Sequence, residues 1–539
     1  MATNPRPRRG PATVATTRGR WYVAQVVLCL VAATLLARHL GRLADYEWWA
    51  IKCPYEIDYG EGILLQYALN FARGGEVYGN YHHYPFVVAT YPPVYPLLCA
   101  VGIKLSGVNF AFGRSLSLLA ALGVAALAWI ILRRVGVSRL AAALAAVLFL
   151  ASPIVYWWAP LMRSCIAAIA FGLAGLYCVM RGGRWLIPAV ALMALAVYTR
   201  QSNVAPLAAS VAYLWWIRER KNAVLVAASW AALVGAVFVA LQAASHGWFY
   251  QHVVVANRNL WEAERLYSLW WTAVRDWPAP FLMGVAGAGL ALAGLRAGET
   301  APLGVAPRHP ERLLGLYFVF SVLVSLTAGK IGANINYLLE PLAASCIMAA
   351  IAYDRLAAHT GSWPGKVAWL AVWVLVVAVP VRLILDPEFK QYQAYQFSRD
   401  DIMRGGKAAV AIIRKTKGDV LCEDTGLLPI SGKPILLDPH KMTSMFHDGR
   451  WDQRPLLEDI ERRRFALIIS RWDPQGGASD TFGAYGNYRW SIGMGRTMMR
   501  NYYLLKHVGF LHITAPADGK HPTCGEVYRR RKLESERKR

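Results

Sequence analysis

The most restrictive feature of this sequence is its long apolar runs. Residues 110–132, 138–158, 222–244 and 366–385 carry few or no charges. A bilayer's hydrocarbon core is ~30 Å thick, and a helix crosses it with ~20 apolar residues. Backbone N–H and C=O groups find no water there, so a spanning segment must satisfy them internally, as an α-helix does. The apolar share of the whole chain is 56%, with a mean hydropathy of +0.31. Soluble domains hold roughly 45–50% even when Gly is counted. The chain therefore reads as a polytopic α-helical membrane protein.

We read eleven transmembrane helices: 21–40, 110–132, 138–156, 164–180, 185–199, 203–217, 222–243, 279–295, 312–328, 337–353 and 366–385. Segment 92–107 is short, carries Pro92, Pro93 and Pro96, includes Lys104, and is expected to lie in the interface. Charge tests that choice. With 92–107 excluded, Arg133/Arg134/Arg139, Arg181/Arg184, Arg218/Arg220/Lys221 and Arg308/Arg312 all fall on one side, as the positive-inside rule requires. The expected extracytoplasmic parts are then 41–109, 157–163, 200–202, 244–278, 329–336 and everything after 386. Residues 1–20 are Arg-rich and free of acid, which predicts a cytoplasmic basic tail before an uncleaved first span. The expected setting is the plasma (inner) membrane, with the N-terminus cytoplasmic.

The net charge of +25 comes from 58 Lys+Arg against 33 Asp+Glu. These cations mostly flank apolar segments, and no nucleic-acid motif accompanies them. The eight cysteines show no metal-ligand spacing, and Cys29, Cys99, Cys165, Cys178 and Cys346 sit in apolar stretches as small core residues do. Cys422 and Cys524 share the last segment and can pair only in an oxidising compartment.

Composition changes after Pro387. Short β-like runs at 418–422, 434–437, 465–470 and 504–513 alternate with helical patterns at 400–416 and 453–464. This predicts a soluble α/β domain over 386–539, outside the transmembrane part 21–385. Trp451-Asp452 and Arg471-Trp472-Asp473 are polar-aromatic spots that suit either sugar contact or ordinary capping and packing. The basic tail from Arg529 reads as disordered.

Loop 41–109 concentrates acid, and its most informative part is Tyr55-Glu56-Ile57-Asp58-Tyr59-Gly60-Glu61-Gly62-Ile63, followed by an apolar run to Phe71. Asp58 and Glu61 are three apart and share a face if a helix begins there. Paired carboxylates beside a membrane can take a proton from a hydroxyl, hold a divalent cation, or simply favour a helix N-terminus. Tyr91-Pro92-Pro93-Val94-Tyr95-Pro96 follows as a preset helix start. Arg163, Arg200, Arg258, Arg265 and Lys330 all fall on the expected outer side. Charges at membrane depth cost roughly 2.5–3.5 kcal/mol on insertion scales, so they tend to face a cavity or a partner. Two polar interruptions carry some of them: Tyr198 to Asn203, with Arg200-Gln201, and Lys330 to Tyr337, with Asn336.

These elements, in this order, resemble the GT-C superfamily of polyprenyl-phosphate-dependent glycosyltransferases, with protein O-mannosyltransferases and lipid A aminoarabinose transferases nearest in pattern. The matching residues are Asp58-Tyr59-Gly60-Glu61-Gly62 after the first span, Tyr91-Pro92-Pro93-Val94 before a membrane helix, Arg200-Gln201, and Gly332 to Tyr337. The resemblance covers roughly 20–385. It implies a GT-C-like fold, Asp58 as catalytic base with Glu61 as its alternate, and Arg163, Arg200, Arg258 and Lys330 on the donor phosphate. Tyr91, Gln201, Asn336 and Tyr337 are the matching substrate contacts. The sequence departs from the family at two places. Relatives of the aminoarabinose type have Glu-Lys before Pro-Pro, where this chain has Thr90-Tyr91, and many have an Asp after the Arg, where Arg163 is followed by Ser164-Cys165. His82, His83 and His252 are the available substitutes for ligands to a divalent metal ion of unknown identity.

The expected activity is inverting transfer of a sugar from a polyprenyl-phosphate donor to an extracytoplasmic acceptor. The expected partners are that lipid-linked sugar, membrane lipid and an unidentified acceptor, with no nucleic acid. The alternatives are a lipid-linked sugar transporter or flippase, or a non-catalytic membrane scaffold. Against transport, the sequence has no internal repeat and no pair of broken helices at matching positions.

Overall fold

A computed structural model of the chain describes residues 11–294, 309–358, 398–476 and 489–537, with short stretches between 365 and 381. The first helix, α1 (Pro11–Lys52), overruns the expected span at both ends and stops just before Cys53-Pro54. Proline restricts the residue before it, which accounts for the stop. α2 (Gly60–Arg73) ends on Gly74, whose φ of +70° suits glycine and whose N–H bonds the carbonyls of Asn70 and Phe71. α3 (Val94–Ser106) follows Pro92-Pro93. Its 13 residues give about 20 Å of helix at 1.5 Å each, too little to cross a bilayer core. Leu97, Leu98, Val101 and Leu105 stay exposed on it.

The bundle continues with α4 (Ala111–Val135), α5 (Arg139–Leu150), α6 (Pro153–Trp158), α7 (Cys165–Arg181), α8 (Leu186–Thr199), α9 (Ala205–Trp216) and α10 (Arg220–Ala244). Then come α11 (Trp248–Val253), α12 (Ala263–Asp276), α13 (Pro278–Ala293), α14 (Pro310–Ser325) and α15 (Leu339–Ala358). Among the described residues, five helical segments are long and apolar enough to span: Val26–Lys52, Ala111–Val135, Arg220–Ala244, Pro310–Gly329 and Ile335–Ala358. The remaining expected spans are shorter helices. Segment 138–156 is split at Ser152-Pro153, where the Ser152 hydroxyl accepts from Ile154 N and caps α6. The segment 366–385 lies largely outside the described residues, as do residues 1–10 of the N-terminal basic tail.

Small residues set the closest helix pairing. On α13, a Cβ added at Gly284 would meet Ser345 Cα at 2.9 Å, and one at Gly287 would meet the Met348 carbonyl oxygen at 2.0 Å. Helices in lipid associate through such close backbone approach, since the lipid tails are as apolar as the side chains. Because the helices alternate in direction, segments 53–59, 159–164, 200–204, 254–262 and 330–338 gather at one end. At the other end Ser138 N bonds Asp354 at 3.0 Å and Arg312 lies over Trp216 at 5.1 Å.

The C-terminal domain docks on the first of these ends. Its sheet has the order β1 (Val420–Cys422), β2 (Leu467–Ser470), β4 (Leu511–Pro516), β3 (Tyr502–Val508). β1 and β2 are parallel and the other pairs antiparallel. Helices α16 (Arg399–Lys415), α17 (Pro439–His447), α18 (Arg454–Glu461), α19 (Ile492–Asn501) and α20 (Cys524–Arg537) complete it. Three readings are corrected here. Residues 434–437 form no strand; Leu437 makes only an isolated bridge to Phe86. The run 504–513 is a hairpin, turned between Val508 and Leu511. The basic tail is helical to Arg537, with Cys524 buried at its start. Cys422 and Cys524 are both buried and free.

Gly287→Ala is expected to destabilise the bundle by ~1–3 kcal/mol through overpacking. Gly235→Ala on α10, with open space around the added Cβ, should be neutral or gain up to ~1 kcal/mol. Thermal unfolding of the detergent-solubilised protein distinguishes the two.

Candidate active site at one end of the bundle

The motif Asp58-Tyr59-Gly60-Glu61-Gly62 folds as a turn running into the first residues of α2. Both glycines are there because other groups occupy the place of their Cβ atoms. A Cβ on Gly60 would lie 2.1 Å from Arg163 Nη1, and one on Gly62 would lie 2.1 Å from the backbone N of Gly426. The two carboxylates of the motif then part ways. Glu61 points into the protein, where Arg114 grips it with Nε at 2.9 Å and Nη2 at 2.8 Å. Met162 N at 2.7 Å, Ile57 N at 2.8 Å and Asp58 N at 3.3 Å also donate to it. Neither side chain of the pair has any solvent exposure. The other donors of Arg114 go to the carbonyls of Ala50, Cys53 and Tyr55. Glu61 thus ties the end of α1, the turn, α4 and the Met162 segment into one unit, and it is not on the lining of the cavity that Tyr59 and Gly60 border.

Asp58 faces the other way and pairs with Arg163 Nη2, its side chain 20% exposed. Arg163, Tyr59 and Gly60 line a cavity of about 470 Å³. The cavity collects residues from seven separate stretches of chain. Tyr91 enters from the Pro-Pro segment, which is held by Gln201 Nε2 and Asn257 Nδ2, both donating to Thr90 O at 3.1 Å. Arg200 stands over the Tyr337 ring at 4.5 Å. Asn336 donates to Cys165 Sγ at 3.1 Å. Arg258, bonded to the Tyr250 hydroxyl at 2.9 Å, and Lys330 complete the cationic lining. Arg163, Arg200, Arg258, Lys330, Tyr91, Gln201, Asn336 and Tyr337 therefore share one cavity. Arg265 binds the Ala333 carbonyl instead. The Arg163 Nε is buried with no acceptor among the described residues.

The three histidines do not converge on a metal site. His82 and His83 are exposed, while His252 accepts from Ala89 N at Nδ1 (2.8 Å) and meets Gly79 O at Nε2 (2.6 Å). Both ring nitrogens of His252 are thus engaged by the protein. No group of three or more His, Cys, Asp or Glu side chains suited to a metal occurs among the described residues. The residues considered for that role do not form a ligand set.

Asp438, His440, Lys441 and Ser444 of the C-terminal domain also line the cavity, and nothing in the linear sequence marked them. The available signal was Asp438-Pro439, an N-cap followed by proline at the first helical position. Arg114 was hidden as well, since it reads as one more cation near a span end. The domain is anchored by Glu56, whose carboxylate accepts from Gly426 N at 2.6 Å and Gly62 N at 3.1 Å. Phe86 adds a pair of backbone bonds, Phe86 N to Leu436 O at 2.8 Å and Asp438 N to Phe86 O at 2.9 Å.

A bundle of apolar helices carrying an α/β domain over a cationic cavity is an architecture this chain shares with a solved fold. Among solved structures, the chain matches ArnT from Cupriavidus metallidurans bound to undecaprenyl phosphate, with a TM-score of 0.58 at 14% identity, covering 90% of this chain and 98% of that one. The apo state of the same protein matches at the same score and identity, over 90% and 99%. No protein-family model matches the chain, and no curated protein matches its sequence.

Arg114→Leu leaves Glu61 buried without its cation and is expected to cost ~3–5 kcal/mol. The double change Arg114→Leu with Glu61→Leu should cost less than the sum of the singles. Thermal denaturation of all three variants gives the coupling.

Proposed function

We propose that the protein is an inverting glycosyltransferase that moves a sugar from a polyprenyl phosphate to an acceptor on the outer face of the plasma membrane. The observation that supports this best is the meeting of Arg163, Arg200, Arg258 and Lys330 on one cavity beside Asp58, in a fold that in ArnT accompanies bound undecaprenyl phosphate. Nucleotide sugars are absent outside the cytoplasm, so an outward-facing transferase draws on a lipid-linked donor. The orientation with a cytoplasmic N-terminus follows from the Lys/Arg distribution.

The chemistry needs three things from the chain. Cations receive the phosphate as negative charge develops on it, and guanidinium groups do so bidentately. The unpartnered Nε of Arg163 is a donor in reserve for that task. A carboxylate takes the proton of the acceptor hydroxyl as its oxygen bonds to the anomeric carbon, and this role falls to Asp58. The bond from the anomeric carbon to the phosphate oxygen breaks, its electron pair leaving with the polyprenyl phosphate. Asp58, paired with the cavity-lining Arg163 and next to the lining residues Tyr59 and Gly60, is the base assigned to the transfer, and with no separate nucleophile assigned we favour a single displacement with inversion. Glu61 is not assigned as an alternate base, because five N–H donors already fill its oxygens.

Asp58→Asn should lower transfer by ~10²–10⁴-fold, the usual scale of general-base loss, while undecaprenyl phosphate still binds. Turnover at the wild-type rate in that variant removes Asp58 from the role. Arg200→Ala and Lys330→Ala should each weaken binding of undecaprenyl phosphate by ~1.5–3 kcal/mol, the scale of a charged hydrogen bond, as read by lipid titration of the purified variants.

A further inference from the structure

The cavity has a second wall that the transfer step does not use. It is the first turn of α17, brought in by the C-terminal domain. Asp438 is 9% exposed and Lys441 8%. Asp438 Oδ1 accepts from Lys441 N at 3.1 Å and so caps the helix. Lys441 Nζ reaches Asn259 Oδ1 at a long 3.3 Å. His440 stands edge-on to Tyr59, ring centres 5.0 Å apart, and its buried Nδ1 has no partner among the described residues. Arg489 covers the Tyr59 ring at 4.7 Å. The backbone bond from Asp438 N to Phe86 O holds this turn against the membrane part.

Buried charges and imidazoles cost free energy unless hydrogen bonds satisfy them. Burial raises the Asp438 carboxyl to about 6 and lowers the Lys441 ammonium to about 8. The same burial, with Arg489 and Lys441 nearby, lowers His440 to about 3 and keeps it neutral. The wall therefore mixes an acceptor, an ammonium donor, a neutral imidazole and the Ser444 hydroxyl, in a cavity also lined by the aromatic rings of Tyr59, Tyr91 and Trp158. Asp438 adds a carboxylate that a phosphate would repel, so this wall differs from the purely cationic lining, although Arg489 and Arg163 stand near enough to His440 to lower it. A ring bearing several hydroxyls fits the set, because each hydroxyl both donates and accepts and the C–H face packs on an aromatic ring.

We propose that Asp438, His440 and Lys441 form a carbohydrate subsite, supplied by the C-terminal domain, that holds a polyhydroxylated sugar ring beside the phosphate-binding cations. The proposal rests on the glycosyl-transfer reading and adds the element that selects the sugar. The ring belongs either to the donor or to a glycan acceptor, and the test separates these sources.

The full-length protein in detergent is titrated with undecaprenyl phosphate and with its mannosyl, glucosyl and arabinosyl derivatives, for the wild type, Asp438→Asn and Lys441→Met. Asparagine keeps the helix cap, so the first variant is expected to fold. At least one glycosylated lipid should bind the wild type tenfold or more tighter than the sugar-free lipid. Loss of that gain in both variants, with sugar-free lipid bound within about twofold of wild type, places the donor sugar here. Gains that persist alongside a tenfold rise in acceptor KM place the acceptor here. Variants that keep both the gain and the acceptor KM overturn the proposal. A wild type that fails to bind sugar-free undecaprenyl phosphate would instead strike at the transferase reading itself.

Discussion

Glu61 and Arg114 meet with neither side chain exposed to solvent, and a buried ion pair persists only where its remaining hydrogen bonds are filled. Here they are filled entirely by the backbone around the site: three amides donate to Glu61, and three carbonyls accept from Arg114. The pair thereby fixes the turn that carries Asp58 and the segment that carries Arg163. Two residues that belong to different loops are held in register by a third contact beneath them. The roles proposed for Asp58 and Arg163 need such support, because small displacements weaken every interaction that depends on their spacing.

The second constraint is the docking of the C-terminal domain. Glu56 spends its carboxylate on two glycine amides, one from the membrane part and one from the domain. Gly62 and Gly426 allow that approach because neither presents a side chain. Phe86 extends the contact with backbone bonds on both sides of Leu437. The turn at Asp438 is consequently part of the cavity wall and not a separate module tethered above it.

The charge pattern of the cavity follows from this assembly. The cations Arg163, Arg200, Arg258 and Lys330 come from the bundle and its loops, while the carboxylate Asp438 arrives from the domain. Arg200 lies over Tyr337, and Arg163 against Tyr59 and Trp158, so the aromatic faces soften the cost of burying guanidinium groups. The result is a pocket with a cationic side and a mixed polar side in one enclosure.

The helical membrane part was legible in the linear chain, because ~20 uncharged residues in a row have few other stable solutions. So was the sharing of one end by the loops carrying Asp58, Arg163, Arg200, Lys330 and Asn336, since Lys/Arg alternation orders the spans. The small sheet was legible in part: β1 and β2 fall where β-like runs occur, while 434–437 lacks a full strand because its partner is a single bridge to Phe86. The division of labour between Asp58 and Glu61 was not legible, since two acids three residues apart look alike until Arg114, 53 positions from Glu61, claims one of them. Nor was the contribution of Asp438, His440 and Lys441, whose place in the cavity wall depends on a backbone bond to Phe86, far away in sequence. Periodicity and charge runs report on neighbours along the chain. Which carboxylate is buried, which is presented and which domain closes the cavity are set by contacts between distant segments, and only the tertiary structure decided them.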